Sequence, residues 1–123
     1  MIEALQQVAV NVKDIERART FYREALGLRH LFDGGPTLAF FDCGGVRLML
    51  SPAEAAEFDH PSSILYLRVA DIHAAHRAML AKGVRFRDEP HCIAKLPGRE
   101  IWMAFFEDGE GNVLAITAEP PTA

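Results

Sequence analysis

The chain has 123 residues, 50% hydrophobic and 24% charged, with a formal charge of -4 at pH 7. That length suits one domain with one core, and the acidic balance argues against nucleic acid, which rewards basic surfaces. No apolar run approaches the ~20 residues of a membrane helix, MIEALQQ lacks a basic-then-apolar leader, and Cys43 and Cys92 form no CxxC pair, so a cytoplasmic protein with reduced thiols is expected.

In chain order, Leu5–Val12 alternates apolar residues and predicts a strand. Asp14 stands where a helix N-cap belongs. Ile15, Ala18, Phe21, Tyr22, Ala25 and Leu26 then recur at helical spacing, and Gly27 suits a left-handed helix end. Short strands follow near Arg29–Phe32, Leu38–Asp42 and Val46–Leu50, separated by Gly- and Pro-containing turns. Ser51–Ser63 reads as a linker with room for a short helix at Pro52–Phe58. A strand near Ile64–Val69, the cap Asp71, a helix with Ile72, Ala75, Met79 and Leu80, and Gly83 repeat the opening pattern. Strands near Arg85–Arg87, Trp102–Glu107 and Val113–Thr117 complete the series. Asp88–Arg99 reads as a long loop, and the tail from Glu119 is expected to fray.

The chain thus repeats itself. Val12-Lys13-Asp14-Ile15 matches Val69-Ala70-Asp71-Ile72 at an offset of 57 (12 to 69). Phe40-Phe41-Asp42 matches Phe106-Glu107-Asp108 at an offset of 66 (40 to 106). The reading is an α+β protein of two βαβββ modules, about 1–51 and 64–118, joined by the linker 52–63 within one domain, 1–123.

Strand parity carries the functional reading, because side chains alternate faces with period two. One face is aliphatic: Val8, Val10 and Val12; Val46, Leu48 and Leu50; Leu65, Leu67 and Val69; Leu114 and Ile116. It belongs under the helices. The opposite face mixes Gln7 and Asn11, Arg47 and Met49, Ile64, Tyr66 and Arg68, and Ala115. A mixture of amides, aromatics and arginines suits a partly enclosed hollow for a small molecule, the alternative being an ordinary half-solvated sheet face. The repeat sets Phe40 and Phe106 toward the helices and Phe41 and Phe105 toward the hollow. Met103 joins the hollow, and Trp102 goes to the core.

The two βαβββ units, the run NVKDIERARTFYREALGL (Asn11–Leu28) and the turn FFEDGEGNVLAI (Phe105–Ile116) together resemble the vicinal-oxygen-chelate superfamily of glyoxalases, bleomycin-resistance proteins and extradiol dioxygenases. The resemblance covers nearly the whole chain. It implies mixed sheets that curl around a shared cavity, often completed in a homodimer. Metal-using members hold one ligand on the first and one on the last strand of each module, and the matching positions here are Gln7, Met49, Ile64 and Ala115. Only Gln7 offers a donor, whereas a divalent ion wants several carboxylates or imidazoles. No metal and no other cofactor is therefore expected.

Further candidates lie outside that set. His91, beside Cys92, and Glu100 are candidate acid–base groups in or beside the 88–99 loop. Adjacent residues on an extended chain point apart, which argues against a His91–Cys92 pair. His60 reads as structural. His73 and His76 share a helical flank, where a solvated face is the simpler reading than a metal site. Arg47 and Arg68 offer forks for a carboxylate or phosphate, with ion pairs to Glu54, Glu57 or Glu107 as the alternative. No GxGxxG, P-loop, HExxH or GxSxG motif occurs. The expected function is a metal-free, homodimeric binding protein for a small aromatic or anionic molecule. The alternative is an enzyme of the same superfamily, a lyase, isomerase or dioxygenase with a degenerate or relocated metal site.

Overall fold

A computed structural model describes residues 1–122 and shows two compact units. The first is Met1–Ser62 together with Gly109–Gly111, and the second is Ser63–Asp108 together with the residues from Asn112 onward. Each is built on a mixed sheet, so the fold is α+β, with one sheet per βαβββ repeat.

In the first unit the chain runs through β1 (Gln7–Asn11), helix α1 (Ile15–Thr20), a π-helical continuation (Phe21–Ala25), β2 (Arg29–Asp33), β3 (Ala39–Cys43) and β4 (Val46–Ser51). The sheet order is β1-β4-β3-β2, with β1 parallel to β4 and the other pairs antiparallel. Asp14 caps α1 as expected, its carboxylate accepting the Arg17 N–H at 3.1 Å. The helix then widens: the Leu26 N–H reaches back five residues to the Phe21 carbonyl at 3.1 Å, and Tyr22 is fully buried. Gly27, at φ 70°, ends it in the left-handed region that a side chain would disfavour. The linker, with room for a short helix at Pro52–Phe58, holds a single 3-10 turn, Ala56–Phe58.

The second unit contains β5 (Leu65–Arg68), α2 (Ile72–Ala81), β6 (Arg85–Phe86), β7 (His91–Leu96), β8 (Arg99–Glu107) and β9 (Val113–Ala118). Its order is β5-β9-β8-β6, with β5 parallel to β9, and β7 also pairs β8. Asp71 caps α2 by accepting the N–H groups of His73 and Ala74, each at 3.1 Å.

Packing follows the expected parity most clearly in β1, β4 and β9, whereas Leu65, Leu67 and Val69 are only half-buried. α1 lies on β4, and α2 lies on β8 and β9. Val10, Val12, Leu48 and Leu50 are buried in the first unit, and Leu114 and Ile116 in the second. Full burial of each such aliphatic side chain contributes about 1.5–3 kcal/mol.

Two expectations are corrected. Asp88–Arg99 is not a loop: His91–Leu96 forms β7, joined to β8 by Pro97-Gly98. Burial along β7 alternates strictly, and Gly98 at φ 84° after a proline fits a tight turn. Ile93, an apolar residue at an exposed position of that alternation, hides the period from simple inspection. The tail is not frayed over its described part. Pro120 accepts the Glu100 N–H at 2.9 Å, and Thr122 donates to Gly98 at 3.2 Å. Arg99 also pairs Glu119 at 2.8 Å.

Candidate functional site

Each sheet has one face turned away from its helix, and these open faces carry most of the expected site residues. In the first unit Gln7 lies directly opposite Arg47, and Phe40 lies opposite Met49. The Gln7 Oε1 accepts from Arg47 Nε at 2.7 Å, and its Nε2 donates to Met49 Sδ at 3.6 Å. The Arg47 guanidinium carbon stands 5.8 Å from the centre of the Phe40 ring. Phe40 in turn stacks on Phe32 at 4.5 Å, and Phe32 is 49% exposed. The face therefore presents a guanidinium laid on an aromatic pair and steadied by a neutral amide. Neither Glu54, Glu57 nor Glu107 pairs with Arg47; Glu107 is engaged by Arg87 at 3.5 Å. Such an arginine keeps unused N–H donors for a planar anion and a flat surface for an aromatic ring.

Asn11 shares the sheet but serves the linker. Its Nδ2 donates to Asp59 at 3.2 Å and to the His60 carbonyl at 3.0 Å, while its backbone N–H donates to Ser62. Lys13 pairs with the same Asp59. These hydrogen bonds, from Lys13 first and Asn11 next, hold the Asp59 carboxyl below its ordinary range. His60 donates to the Pro61 carbonyl at 3.0 Å, a local structural contact as expected.

Phe41 is a correction. It pairs Leu48, not Met49, and is 0% exposed, packed against Tyr22 and His30 on the helix side. The expectation gave Phe40 and Phe106 the same face through one constant repeat offset. Four residues separate Asp42 from its partner Arg47, but five separate Glu107 from Val113. One extra residue in the second turn shifts the equivalence by one and reverses the face. Phe40 therefore takes the open side of β3 but is itself only 9% exposed, because a β-bulge at Leu31 brings the exposed Phe32 over it. The sequence reading missed both.

In the second unit the open face holds Tyr66 and Phe105, both opposite Ala115, and Arg68 and Met103, both opposite Thr117. Tyr66 and Phe105 meet edge to face at 6.0 Å. Ala115 is fully buried between its neighbours, and Ile64 precedes β5 as an exposed side chain. Arg68 is exposed and enters none of the ion pairs among the described residues. β7 adds His91, opposite Met103. Its Nδ1 donates to the Glu89 carbonyl at 2.9 Å and lies 3.8 Å from Asp88, which leaves Nε2 without a hydrogen bond among the described residues. Cys92 lies opposite Trp102 on the other face, so the two neighbours do not form a catalytic pair. Burial, aided by Asp42, pushes the other thiol, Cys43, up from its ordinary range.

Glu100, expected just before the Trp102 strand, lies within β8, and its Oε1 accepts from Trp102 Nε1 at 2.8 Å. It faces the helix side together with Trp102, which is half-buried and not a full core residue. His73 and His76 do not form a pair: their rings contact Trp102 and Phe86, at 5.3 and 4.5 Å.

Gln7 has both ends of its amide engaged, Met49 receives one of those bonds, and Ile64 and Ala115 are aliphatic. This donor set does not fit a divalent ion. Among the described residues no three His, Cys, Asp or Glu side chains gather closely enough to hold one elsewhere.

A helix-capping aspartate after the first strand, a parallel pairing of first and last strands, and a second copy of the whole arrangement define a paired-βαβββ protein. Residues 4–116 match the Glyoxalase/Bleomycin resistance protein/Dioxygenase superfamily, and the chain belongs to it. Among solved structures it is similar to TnmS3, an antibiotic binding protein from Streptomyces sp. CB03234, at 26% identity over 98% of each chain, with a TM-score of 0.77. A protein from the mobile metagenome of V. Pseudocholerae aligns at 21% identity over 96% of this chain and 95% of that one, with a TM-score of 0.79. Lactoylglutathione lyase from Agrobacterium tumefaciens aligns at 19% identity over 96% and 95%, with a TM-score of 0.70. The last two likenesses concern the fold alone. No curated protein matches the sequence. No helix among the described residues is long and apolar enough to cross a membrane.

Proposed function

We propose that this chain is a metal-free binding protein for a small planar aromatic or anionic molecule, working as a cytoplasmic homodimer. The observation that carries the reading is the engagement of Gln7. The one polar side chain at the superfamily's metal positions spends its amide on Arg47 and Met49, and so serves an arginine–aromatic surface. An anion accepting from Arg47 gains a charge-assisted hydrogen bond, worth about 1.5–3 kcal/mol, and a ring against the exposed Phe32 adds about 0.5–1.5 kcal/mol. The likeness to an antibiotic binding protein supports the same class of ligand.

The test is thermal unfolding against a panel of aromatic carboxylates and antibiotics. A true ligand roughly a hundredfold above its Kd stabilises the fold by about 2.7 kcal/mol, a shift of several degrees that Arg47→Met should largely remove. A panel without any shift, or shifts untouched by that substitution, refutes the reading. The second reading, an enzyme of the superfamily with a degenerate or relocated metal site, draws on the free Nε2 of His91 beside Met103. Elemental analysis of untagged protein separates the two, because a stoichiometric divalent ion favours the enzyme.

A further inference from the structure

The second unit has another hollow, of about 600 Å³, on the helix-bearing side of its sheet. Trp102 and Glu100 line it, and their parity is opposite to that of Met103 and Phe105, so it is separate from the open face. Its other walls are the start of α2, with Asp71 and His73, and the tail residues Pro120 and Pro121. The tail is a fixed wall, held by the Glu100–Pro120 and Thr122–Gly98 backbone bonds and by a bridge between Arg99 and Pro121.

Carboxylates are the formal charges in the lining of this hollow. Its lining contains two carboxylates and a histidine but neither lysine nor arginine. Asp71 is occupied with the helix cap, its Oδ1 accepting two backbone N–H groups, so the end of α2 offsets its charge. Glu100 is not offset. Lys95 lies opposite it across the hairpin, yet among the described residues no ion pair includes Glu100. Its Oε1 is held at the rim of the indole by Trp102 Nε1–H, which fixes the ring and keeps the negative charge beside it. His73 stands against the same indole at 5.3 Å and 69°.

A fixed indole, an unneutralised carboxylate at its edge and rigid proline rings favour a cation with an apolar envelope, through ring quadrupole and charge together. An anion would meet two carboxylates, and a neutral apolar group would strip water from Glu100 without compensation. We propose that this hollow binds a small organic cation of the ammonium class, seated on Trp102 and beside Glu100.

Trp102 is the chain's only tryptophan, so its emission reports occupancy directly. The full chain is titrated with choline and, in parallel, with the uncharged analogue carrying carbon in place of nitrogen. Choline is expected to change the emission saturably with a Kd of about 1 mM or tighter, and the analogue is expected not to. Glu100→Gln keeps the oxygen that accepts from Trp102 and should weaken choline at least tenfold, equivalent to about 1.4 kcal/mol. Thr122→Arg, at an exposed tail position, brings a competing cation to the rim and should abolish the response. A choline titration without saturation, an equal response to the neutral analogue, or undiminished binding in both variants overturns the proposal.

Discussion

Glu110 shows how much one side chain can organise. Its carboxylate is 0% exposed and accepts the N–H groups of Lys13 at 2.7 Å and Asp14 at 2.8 Å. Arg17 Nε closes the set at 2.5 Å. It thereby satisfies backbone donors just before α1 that would otherwise need water. Burial works to raise its pKa, but the Arg17 hydrogen bond and the two backbone N–H groups together outweigh burial and hold it below its ordinary range. A depressed folded value stabilises the protein above the unfolded pKa, and that stability is lost as pH falls through the folded value. Glu110→Gln keeps an acceptor but removes the charge. It is expected to cost about 1–3 kcal/mol at pH 7 and to shrink the stability difference between neutral and acidic pH, measured by urea unfolding at both.

At the scale of elements, turn length decides what a strand presents. β3 and β8 both carry a Phe-Phe pair, but Phe41 and Phe106 are the ones buried against helices, opposite Leu48 and Leu114. Phe40 and Phe105 take the open faces. Phe41→Ala should therefore behave as a core truncation, costing about 3–5 kcal/mol in denaturant unfolding. A loss under 1 kcal/mol, on the order of a surface substitution, would contradict the register. The bulges at Leu31 and Ile93 act in the same way, each re-aiming the residues beyond it.

At the scale of the molecule, the two units are not two halves of the sequence. Gly109–Gly111 belongs to the first unit although the chain on both sides of it belongs to the second. A fragment of residues 1–62 contains every strand of the first sheet but lacks Glu110. It is expected to show a weaker helical circular-dichroism signal per residue and a lower unfolding midpoint than the full chain. A fragment as stable as the intact protein would mean that Glu110 contributes nothing to α1.

The sequence by itself determined what local chemistry controls. Asp14 and Asp71 cap helices because a short carboxylate reaches nearby N–H groups, and Gly27 and Gly83 end them because only glycine takes positive φ cheaply. Val10, Leu48, Leu114 and Ile116 were legible as core because alternation is a property of one strand. Tertiary structure decided the rest: the face of Phe41, the β7 pairing that moved His91 out of a loop, the anchored tail, and Glu110 reaching residues 96 and 97 positions away. The reason is physical. Cross-strand register and long-range hydrogen bonds depend on how separate segments are brought together, and a single residue in a turn changes that outcome without disturbing either strand's own pattern.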